Sequence, residues 1–316
     1  MQSLISIIIP TYNRASIIGE TLQSILEQTY TNWECLVVDD SSTDNSEAVV
    51  KKYTDVDKRI KFYKRPVNRS KGANACRNYG FELSKGKYIN WIDSDDIMHP
   101  DKLLKQVEVL EQSDLNYSIC KSYVFESTIE NITGLKSRYI ATTNPFQAFI
   151  SKHIIIPVQA AVFKRSFLIE NNYTYNESLQ AGQEWLFLAK ILFNYPNYVA
   201  INEPLDYIRN HPNNISNHNS NKKYWHYFLA RFILYSELED ALSIENKQTL
   251  YIFFLFIFKQ FVRLKEFKKA WYVWRYCLMS YQKLTLKDHF NLAVGSFLKY
   301  FSSKGDGYLS KVSLYK

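Results

Sequence analysis

The first hundred residues alternate short apolar runs with amphipathic stretches. Four apolar runs, at residues 4–9, 35–38, 60–63 and 88–92, predict β-strands. Between them, residues 16–28 place apolar side chains at helical spacing, Ser42-Thr43-Asp44 offer an N-cap for a helix through Val50, and residues 72–84 are predicted to form a helix. Strands that alternate with helices are typical of a mostly parallel sheet covered by helices on both faces. The chain is therefore predicted to begin with an α/β domain of Rossmann-like type.

Polar side chains follow three of these predicted strands directly. Thr11-Tyr12-Asn13 follows the first strand, Asp39-Asp40 the second and Asp93-Ser94-Asp95-Asp96 the fourth. In open α/β sheets, ligands bind outside the carboxyl ends of the strands. We therefore expect the three clusters to lie along one edge of the sheet and to form the functional site.

The second part of the chain is predicted to be different in kind. Strands predicted at 117–125, 158–163 and 198–201 are mixed with short helices, and from Asn221 the pattern is helical throughout. The polar stretch 211–221 separates the two patterns. We expect a catalytic domain at 1–220 and an all-helical C-terminal extension at 221–316.

Charge is divided unevenly between these two parts. The net charge of the whole chain is +8, yet residues 1–220 hold 23 Lys and Arg against 24 Asp and Glu. Residues 221–316 hold 16 Lys and Arg against 7 Asp and Glu, a difference of +9. Basic residues between 259 and 275 alternate with Phe and Trp, which suits an anionic membrane surface or an acidic partner. The alternatives are an ordinary solvated helical surface and a helical hairpin that packs on the catalytic domain.

The cysteines and the apolar runs bear on the cellular location. Four scattered cysteines without a Cys-x-x-Cys pair indicate neither a zinc site nor a disulfide framework, and reduced thiols fit the cytoplasm. The N-terminus lacks the features of a signal peptide. The longest apolar run, residues 250–258, is shorter than the roughly 20 residues that span a bilayer. We expect a cytoplasmic protein. The basic region suggests, as an alternative, a cytoplasmic protein that binds peripherally to the inner face of the plasma membrane.

Asp93 and Asp95 form an Asp-x-Asp motif at the end of a predicted strand. Two carboxylates at this spacing can hold Mn²⁺ or Mg²⁺ together with diphosphate oxygens, and the metal would neutralise a departing diphosphate. The alternative is a polar turn before a helix near Pro100. Asp39 and Asp40 could accept the imide N–H of a pyrimidine base, the alternative being that they accompany the cap of the next helix.

Four segments in this order resemble the inverting family 2 glycosyltransferases, which have the GT-A fold. They are Ile8-Ile9-Pro10-Thr11-Tyr12-Asn13-Arg14, Val37-Val38-Asp39-Asp40-Ser41-Ser42-Thr43-Asp44, Lys71-Gly72-Ala73-Asn74-Ala75-Cys76-Arg77-Asn78 and Trp91-Ile92-Asp93-Ser94-Asp95-Asp96. Each motif is weak alone, and together they are specific. The resemblance covers about residues 3–212.

The resemblance implies roles for individual residues around a nucleotide sugar. The implied donor-binding set is Pro10, Thr11, Tyr12, Asn13, Asp39, Asp40, Arg69, Lys71, Gly72, Arg77, Asp93 and Ser94. Within it, Asp40 would bond the base, and Arg69 would reach the diphosphate. Asp95 would bind the metal with Asp93. The alternative for Arg77 is a structural salt bridge.

An inverting transfer also needs a carboxylate that deprotonates the acceptor hydroxyl. The resemblance places it in Gly182-Gln183-Glu184-Trp185, which makes Glu184 the implied base, where many relatives have aspartate. The alternative is an acid favoured by the dipole at a helix N-terminus. Trp185 would stack on the acceptor sugar or belong to the core. In a closing segment, His211 would join the metal and Arg209 would bind phosphate.

These observations lead to one main hypothesis about function and to two rivals. The main hypothesis is a metal-dependent inverting transfer from a nucleotide diphosphate sugar, a UDP-sugar, to a hydroxyl of a glycan or lipid-linked acceptor in bacterial surface polysaccharide synthesis. The rivals are a catalytically inactive binding subunit and a sugar nucleotidyltransferase. No glycine-rich phosphate loop follows the first strand, which disfavours a dinucleotide oxidoreductase or a P-loop kinase, and no nucleic-acid-binding module is recognisable.

Overall fold

The computed structural model describes residues 2–210, 221–279, 281–302 and 304–314. The chain forms two compact units, Met1–Asn217 and His218–Lys316. We call the first the sheet unit and the second the helical unit.

One mixed sheet of nine strands organises the sheet unit, in the order β3-β2-β1-β4-β8-β6-β9-β5 with β7 paired to β6. The strands are β1 (Ile5–Thr11), β2 (Trp33–Asp39), β3 (Ile60–Lys64), β4 (Tyr88–Trp91), β5 (Ile97–Met98), β6 (Tyr117–Phe125), β7 (Ile132–Leu135), β8 (Ala161–Lys164) and β9 (Val199–Arg209). The first four are mutually parallel, as the alternating pattern predicted. β8 is antiparallel to β4 and β6, and β9 is parallel to β6.

Seven helices belong to this unit among the described residues. They are α1 (Ile18–Leu26), α2 (Ser46–Val56), α3 (Ala73–Leu83), α4 (Lys102–Glu111), α5 (Pro145–Ile150), α6 (Arg165–Glu170) and α7 (Gln183–Asn194). Every residue of β1 and β2 is buried, as expected for parallel strands covered on both faces. The predicted α/β architecture is confirmed.

Two strands differ from their predicted extents. The segment predicted as one strand at 158–163 forms a 3₁₀ turn, Val158–Ala160, before β8 begins. β9 continues to Arg209, well beyond the predicted end at Ile201. Its pairing with β6 shifts register near Pro204, where a ladder donor is missing. The polar residues around this irregularity interrupt the apolar pattern, so the sequence predicted only the first part of the strand.

α3 packs unusually closely on β1. A Cβ atom at Gly80 would lie 2.4 Å from Cγ2 of Ile8, so glycine is required there for the helix to reach the sheet. This close packing brings the earlier turns of α3, which carry Asn74 and Arg77, to the carboxyl edge of the strands.

The helical unit consists of α8 (Asn221–Leu238), α9 (Ile244–Arg263), α10 (Phe267–Val273), a π-helical turn (Trp274–Leu278), α11 (Leu286–Ser302) and α12 (Asp306–Ser310). A capping box between Ser243 and Asn246 begins α9, whose buried face includes Phe254 and Phe261. Within the described ranges, none of the helices is both long enough and apolar enough to cross a membrane.

Candidate active site

The loop after β4 gathers three carboxylates. Oxygen atoms of Asp93, Asp95 and Asp96 all lie within 4.8 Å of one another. Burial is the largest cause of a pKa for Asp96 well above its usual range, and repulsion from Asp95 and Asp93 raises this pKa further. A divalent cation would relieve this repulsion, and oxygen donors are what Mg²⁺ and Mn²⁺ prefer. The donor set therefore fits a hard metal ion.

Asp96 supports this loop from beneath. Gln159 Nε2 donates to its Oδ2 at 2.5 Å, and the backbone N–H of Arg209 donates to its Oδ1 at 2.9 Å. Because both oxygens already accept hydrogen bonds, Asp93 and Asp95, which are partly exposed, are the better candidates for ligands.

A fully buried ion pair lies behind Gln159. Lys102 Nζ is 2.8 Å from Asp206 Oδ2 and also donates to the backbone oxygen of Gln159 at 2.7 Å. Burial raises the pKa of Asp206, an effect that the neighbouring ammonium opposes. This pair ties α4, β9 and the 3₁₀ turn together behind the acidic loop.

Arg77 joins the acidic loop to the predicted base. Its Nη2 donates to Asp93 Oδ1 at 2.6 Å and to Glu184 Oε1 at 2.8 Å. The guanidinium is buried and lies 5.3 Å from the ring centroid of Tyr175. Burial opposes its charge, but the carboxylates of Glu184 and Asp93 outweigh that effect and raise the pKa of Arg77. The salt bridge that the sequence left as the alternative for Arg77 is present.

Glu184 lies in the first turn of α7. The helix begins after Gly182, whose φ of 74° is in the left-handed region that favours glycine. Burial raises the pKa of the Glu184 carboxyl, and Arg77 partly opposes this shift. A third of the side chain remains accessible, so a hydroxyl group can reach it. The carboxylate is thus oriented by Arg77 and still open to a substrate.

Two acids end β2, and the structure gives each a partner. Asp39 accepts from the backbone N–H of Ser42 at 2.9 Å and from its hydroxyl, which stabilises the loop. Asp40 forms a buried ion pair with Arg65, which follows β3. The Arg65 guanidinium also donates to the backbone oxygens of Pro66 and Arg69. Asp40 therefore belongs to a rigid corner beneath the strand ends.

The loop after β1 lies beside the end of β2, because Thr11 pairs with Asp39 in the sheet register. The buried hydroxyl of Thr11 has no hydrogen-bond partner among the described residues. Asn13, at φ 50°, accepts from the backbone N–H of Thr43 at 2.7 Å and so joins the two loops. Pro10 is buried in β1. The register between β1 and β2 thus brings the first two predicted polar clusters together.

Basic residues flank these loops. Lys71 Nζ lies 4.4 Å from the ring centroid of Tyr12, which is exposed. Gly72 has a φ of 139° at the start of α3, in open space. Arg69, which the resemblance placed at the diphosphate, donates to Glu82 at 2.5 Å and lies 3.7 Å from Glu177.

The predicted acceptor and closing residues have varied surroundings. Trp185 stacks on Phe149 with ring centroids 6.1 Å apart. Arg209 donates to the backbone oxygen of Asp95 at 3.0 Å and to Glu20 at 2.5 Å, so it holds the acidic loop against α1. His211 lies outside the described residues.

Four further residues organise this site, and their sequence motifs did not predict that role. Arg14 is 3.3 Å from Asp95, and the other three are Arg65, Gln159 and Lys102. Lys102 left a signal, since it lies on the same face of α4 as the apolar Leu103 and Val107. Arg65 and Gln159 left none, because their partners are distant in sequence.

Comparison with known proteins identifies the family. The profile of glycosyl transferase family 2 matches residues 6–168, just over half of the chain. The chain belongs to this family, and the resemblance inferred from its four motifs is confirmed.

Relatives of known or assigned class agree with this family. An uncharacterised glycosyltransferase of Haemophilus influenzae is 41% identical over 122 residues, which are 37% of this chain and 48% of the relative. The UDP-Glc:α-D-GlcNAc-diphosphoundecaprenol β-1,3-glucosyltransferase WfgD of Escherichia coli is 38% identical over 114 residues, 36% of this chain and 44% of the relative. The matches thus span about half the length of these relatives.

Solved structures of similar fold cover nearly the whole chain. Residues 1–349 of S. aureus TarS, in complex with UDP-GlcNAc, align with a TM-score of 0.63 at 19% identity, over 96% of this chain and 83% of that one. The mannosyltransferase PcManGT of Pyrobaculum calidifontis, in complex with GDP-Man and Mn²⁺, aligns with a TM-score of 0.58 at 19% identity, over 98% and 86%. At these identities the likeness concerns the fold, and the expected GT-A architecture is confirmed.

Proposed function

We propose that this protein transfers a sugar from a nucleotide diphosphate sugar, a UDP-sugar, to a hydroxyl of a glycan or lipid-linked acceptor, with inversion at the anomeric carbon. The observation that carries the proposal is the position of Arg77. One of its nitrogens donates to both Glu184 and Asp93, so a candidate base lies beside a candidate metal-binding loop. Base and leaving-group stabiliser must be neighbours in a single displacement.

The donor would bind along the carboxyl ends of β1 and β2. The unsatisfied hydroxyl of Thr11 and the rigid Asp40 corner support a nucleotide base there, with Tyr12 and Lys71 at the rim. WfgD is named for UDP-Glc, and the TarS structure contains UDP-GlcNAc. These relatives support UDP as the nucleotide. Lys71, Gly72 and Ser94 complete the proposed donor set.

Asp95 and Asp93 would hold Mn²⁺ or Mg²⁺, whose positive charge would stabilise the departing diphosphate. The PcManGT structure contains Mn²⁺, which supports this choice of metal class. Asp96 would keep the loop in place through Gln159 and the backbone of Arg209.

The residues of the chain would carry out the proton transfer. Glu184 accepts the proton of the acceptor hydroxyl as that oxygen bonds to the anomeric carbon. The bond between this carbon and the diphosphate oxygen breaks, and the diphosphate leaves with the electron pair. Arg77 keeps the Glu184 carboxylate oriented. Because burial raises the pKa of Glu184, the carboxylate is a stronger base than an ordinary glutamate.

The setting that we propose is bacterial surface polysaccharide synthesis at the cytoplasmic side. WfgD is named for a lipid-linked acceptor, which supports an acceptor of that kind. All four cysteines are buried and free, as expected in a reducing compartment.

A donor panel tests the proposal. We would measure nucleoside diphosphate release from UDP-, GDP- and dTDP-sugars, with Mn²⁺ and with EDTA. The wild type should release UDP from a single UDP-sugar when Mn²⁺ is present and release none in EDTA. Asp95→Asn should abolish release. Asp55→Asn, an exposed acid on α2, is the matched control and should behave as the wild type.

Three outcomes would contradict the proposal. Release that is unaffected by EDTA and by Asp95→Asn would exclude the metal role. Donor binding without release, in the presence of lipid-linked and free glycan acceptors, would indicate a binding subunit. Pyrophosphate release from a nucleoside triphosphate and a sugar phosphate would indicate a nucleotidyltransferase.

A further inference from the structure

Helix α11 exposes large apolar side chains along one face. Leu286, Phe290, Phe297 and Phe301 recur at helical spacing and are 89%, 63%, 62% and 68% exposed. The buried residues of the helix are Asn291, Leu292 and Gly295, so it buries one leucine. A surface helix normally buries its apolar stripe, and here the three phenylalanines are exposed instead. Contiguous exposed apolar surface of this kind marks an interaction site.

The neighbouring helix extends this surface. α10 and the π-helical turn run antiparallel to α11, since Phe267 contacts Tyr300 at 5.1 Å between centroids and Trp274 Nε1 donates to His289 at 3.3 Å. Met279 and Leu286, one from each side, line a single surface pocket of about 440 Å³. The outward stripe that ends at Met279 contains Lys268, Trp271 and Arg275. The aromatic–basic face consists of two sets of exposed residues. One is Leu286, Phe290, Phe297 and Phe301 on α11, and the other is Lys268, Trp271, Arg275 and Met279 on α10 and the π-helical turn.

The charge around the aromatic–basic face is strongly one-sided. Residues 263–306 contain nine Lys and Arg against three acids, Glu266, Asp288 and Asp306. Asp306 pairs with Arg263 at 3.5 Å and with Lys299 at 2.6 Å. Glu266 pairs with Lys269 at 3.2 Å, and Asp288 caps α11 through Thr285. In the part of the chain that the structure describes, Lys268, Arg275 and Lys287 form no ion pair. The face therefore has apolar area and uncompensated positive charge together.

This combination identifies the occupant. A second copy of the chain would bring the same positive charges against one another, which disfavours a symmetric dimer through this face. An anionic bilayer supplies negative headgroups for the basic side chains and an apolar boundary for the aromatic ones.

We propose that the aromatic–basic face docks the protein on a membrane that contains anionic lipid. Phe290, Phe297 and Phe301 enter the headgroup region, while Lys268, Arg275 and Lys287 lie near lipid phosphates. The inference rests on the helical unit alone and stands whether or not the sheet unit transfers sugar.

Co-sedimentation with vesicles tests this proposal on the full chain. Wild type should bind vesicles of equal parts phosphatidylglycerol and phosphatidylcholine, bind pure phosphatidylcholine weakly, and dissociate as salt is raised. Phe297→Ser/Phe301→Ser should reduce the partition coefficient by at least about ten-fold, because each phenylalanine loses its apolar contact. Both positions are exposed, so circular dichroism should be unchanged.

The matched control is Val56→Ser/Ile244→Ser, which replaces two other exposed apolar residues and should bind as the wild type. Equal binding of the Phe297→Ser/Phe301→Ser variant and wild type would overturn the proposal. So would a wild-type dimer in sedimentation velocity that this variant dissociates, since the face would then be an interface between copies.

Discussion

Arg77 shows how one buried side chain can organise a candidate active site. A charged group in this position is tolerated only with charged partners, and Glu184 and Asp93 provide them. The motif around Arg77 predicted that it belongs to the site. Its partners could not be predicted, because Glu184 lies on a helix more than a hundred residues later.

The first residue-scale prediction concerns the proposed base. Glu184→Gln keeps the shape and the hydrogen bond from Arg77 but cannot accept a proton. We expect sugar transfer to fall by about 10²–10⁴-fold, with nucleotide binding little changed. Steady-state kinetics and titration calorimetry with UDP measure the two quantities. Glu170→Gln, on α6, is the control, and equal loss of UDP binding and transfer would contradict the assigned role.

A second prediction at this scale concerns the Asp40–Arg65 pair. Arg65→Met leaves the Asp40 carboxylate buried without its partner, which should lower the free energy of unfolding of the sheet unit by about 3–5 kcal/mol. Asp40→Asn in the same chain should recover much of this loss. Urea unfolding followed by fluorescence measures both variants. Lys51→Met, at an exposed pair on α2, should have little effect.

If the double substitution recovers nothing, the guanidinium contributes through its backbone contacts rather than through the ion pair. Nucleotide binding then separates the roles further. Asp40→Asn alone should weaken UDP binding if Asp40 bonds the base, whereas a purely structural acid would leave the affinity unchanged.

At the scale of elements, the close contact of α3 with β1 determines where Arg77 lies. Gly80→Ala would place a methyl group 2.4 Å from Ile8 Cγ2 in a fully buried layer. We expect a loss of about 1–3 kcal/mol in stability, because the helix must move away from the sheet. Transfer activity should fall as well, since Arg77 moves with the helix.

The control for this prediction is Gly19→Ala on α1. Its added Cβ would lie 3.3 Å from the hydroxyl at the flexible end of Tyr53, which can move. Thermal unfolding and transfer kinetics of both variants measure the effect. Equal behaviour of the two alanine variants would mean that helical propensity, rather than the contact with Ile8, determines the result.

The elements differ in how far the sequence predicts them. β1 to β4 follow from their apolar runs, and the polar clusters at their ends were correctly expected to share an edge, as the pairing of Thr11 with Asp39 illustrates. The second half of the sheet was less predictable. β8 runs antiparallel and β9 continues past Pro204, and neither feature leaves a local pattern. Gln159 was not predicted to belong to the site for the same reason. It lies in a 3₁₀ turn, and the sequence pattern of that segment predicted a strand.

At the scale of the whole molecule, charge and chemistry are divided between the two units. The acidic loop, Glu184 and Arg77 all belong to the sheet unit, and the positive excess belongs to residues 221–316. A nucleotide with Mn²⁺ should therefore change the stability of one unit selectively. Ligand at about 100 times its Kd stabilises the folded state by roughly 2.7 kcal/mol, which slows exchange through ligand-releasing openings by about 100-fold.

Hydrogen–deuterium exchange with UDP and Mn²⁺ measures this selectivity peptide by peptide. We expect added protection at the ends of β1 and β2 and in the loop at Asp93–Asp96, and none in α9 or α11. Asp95→Asn should remove the protection that requires Mn²⁺ and keep the protection that UDP confers alone, because the Asp40–Arg65 corner, where we propose that the base binds, is unaltered. Protection in α9 or α11 would place the nucleotide elsewhere. If the protection of the wild type by UDP is the same with and without Mn²⁺, Arg14 and Arg77 neutralise the acidic loop without a metal.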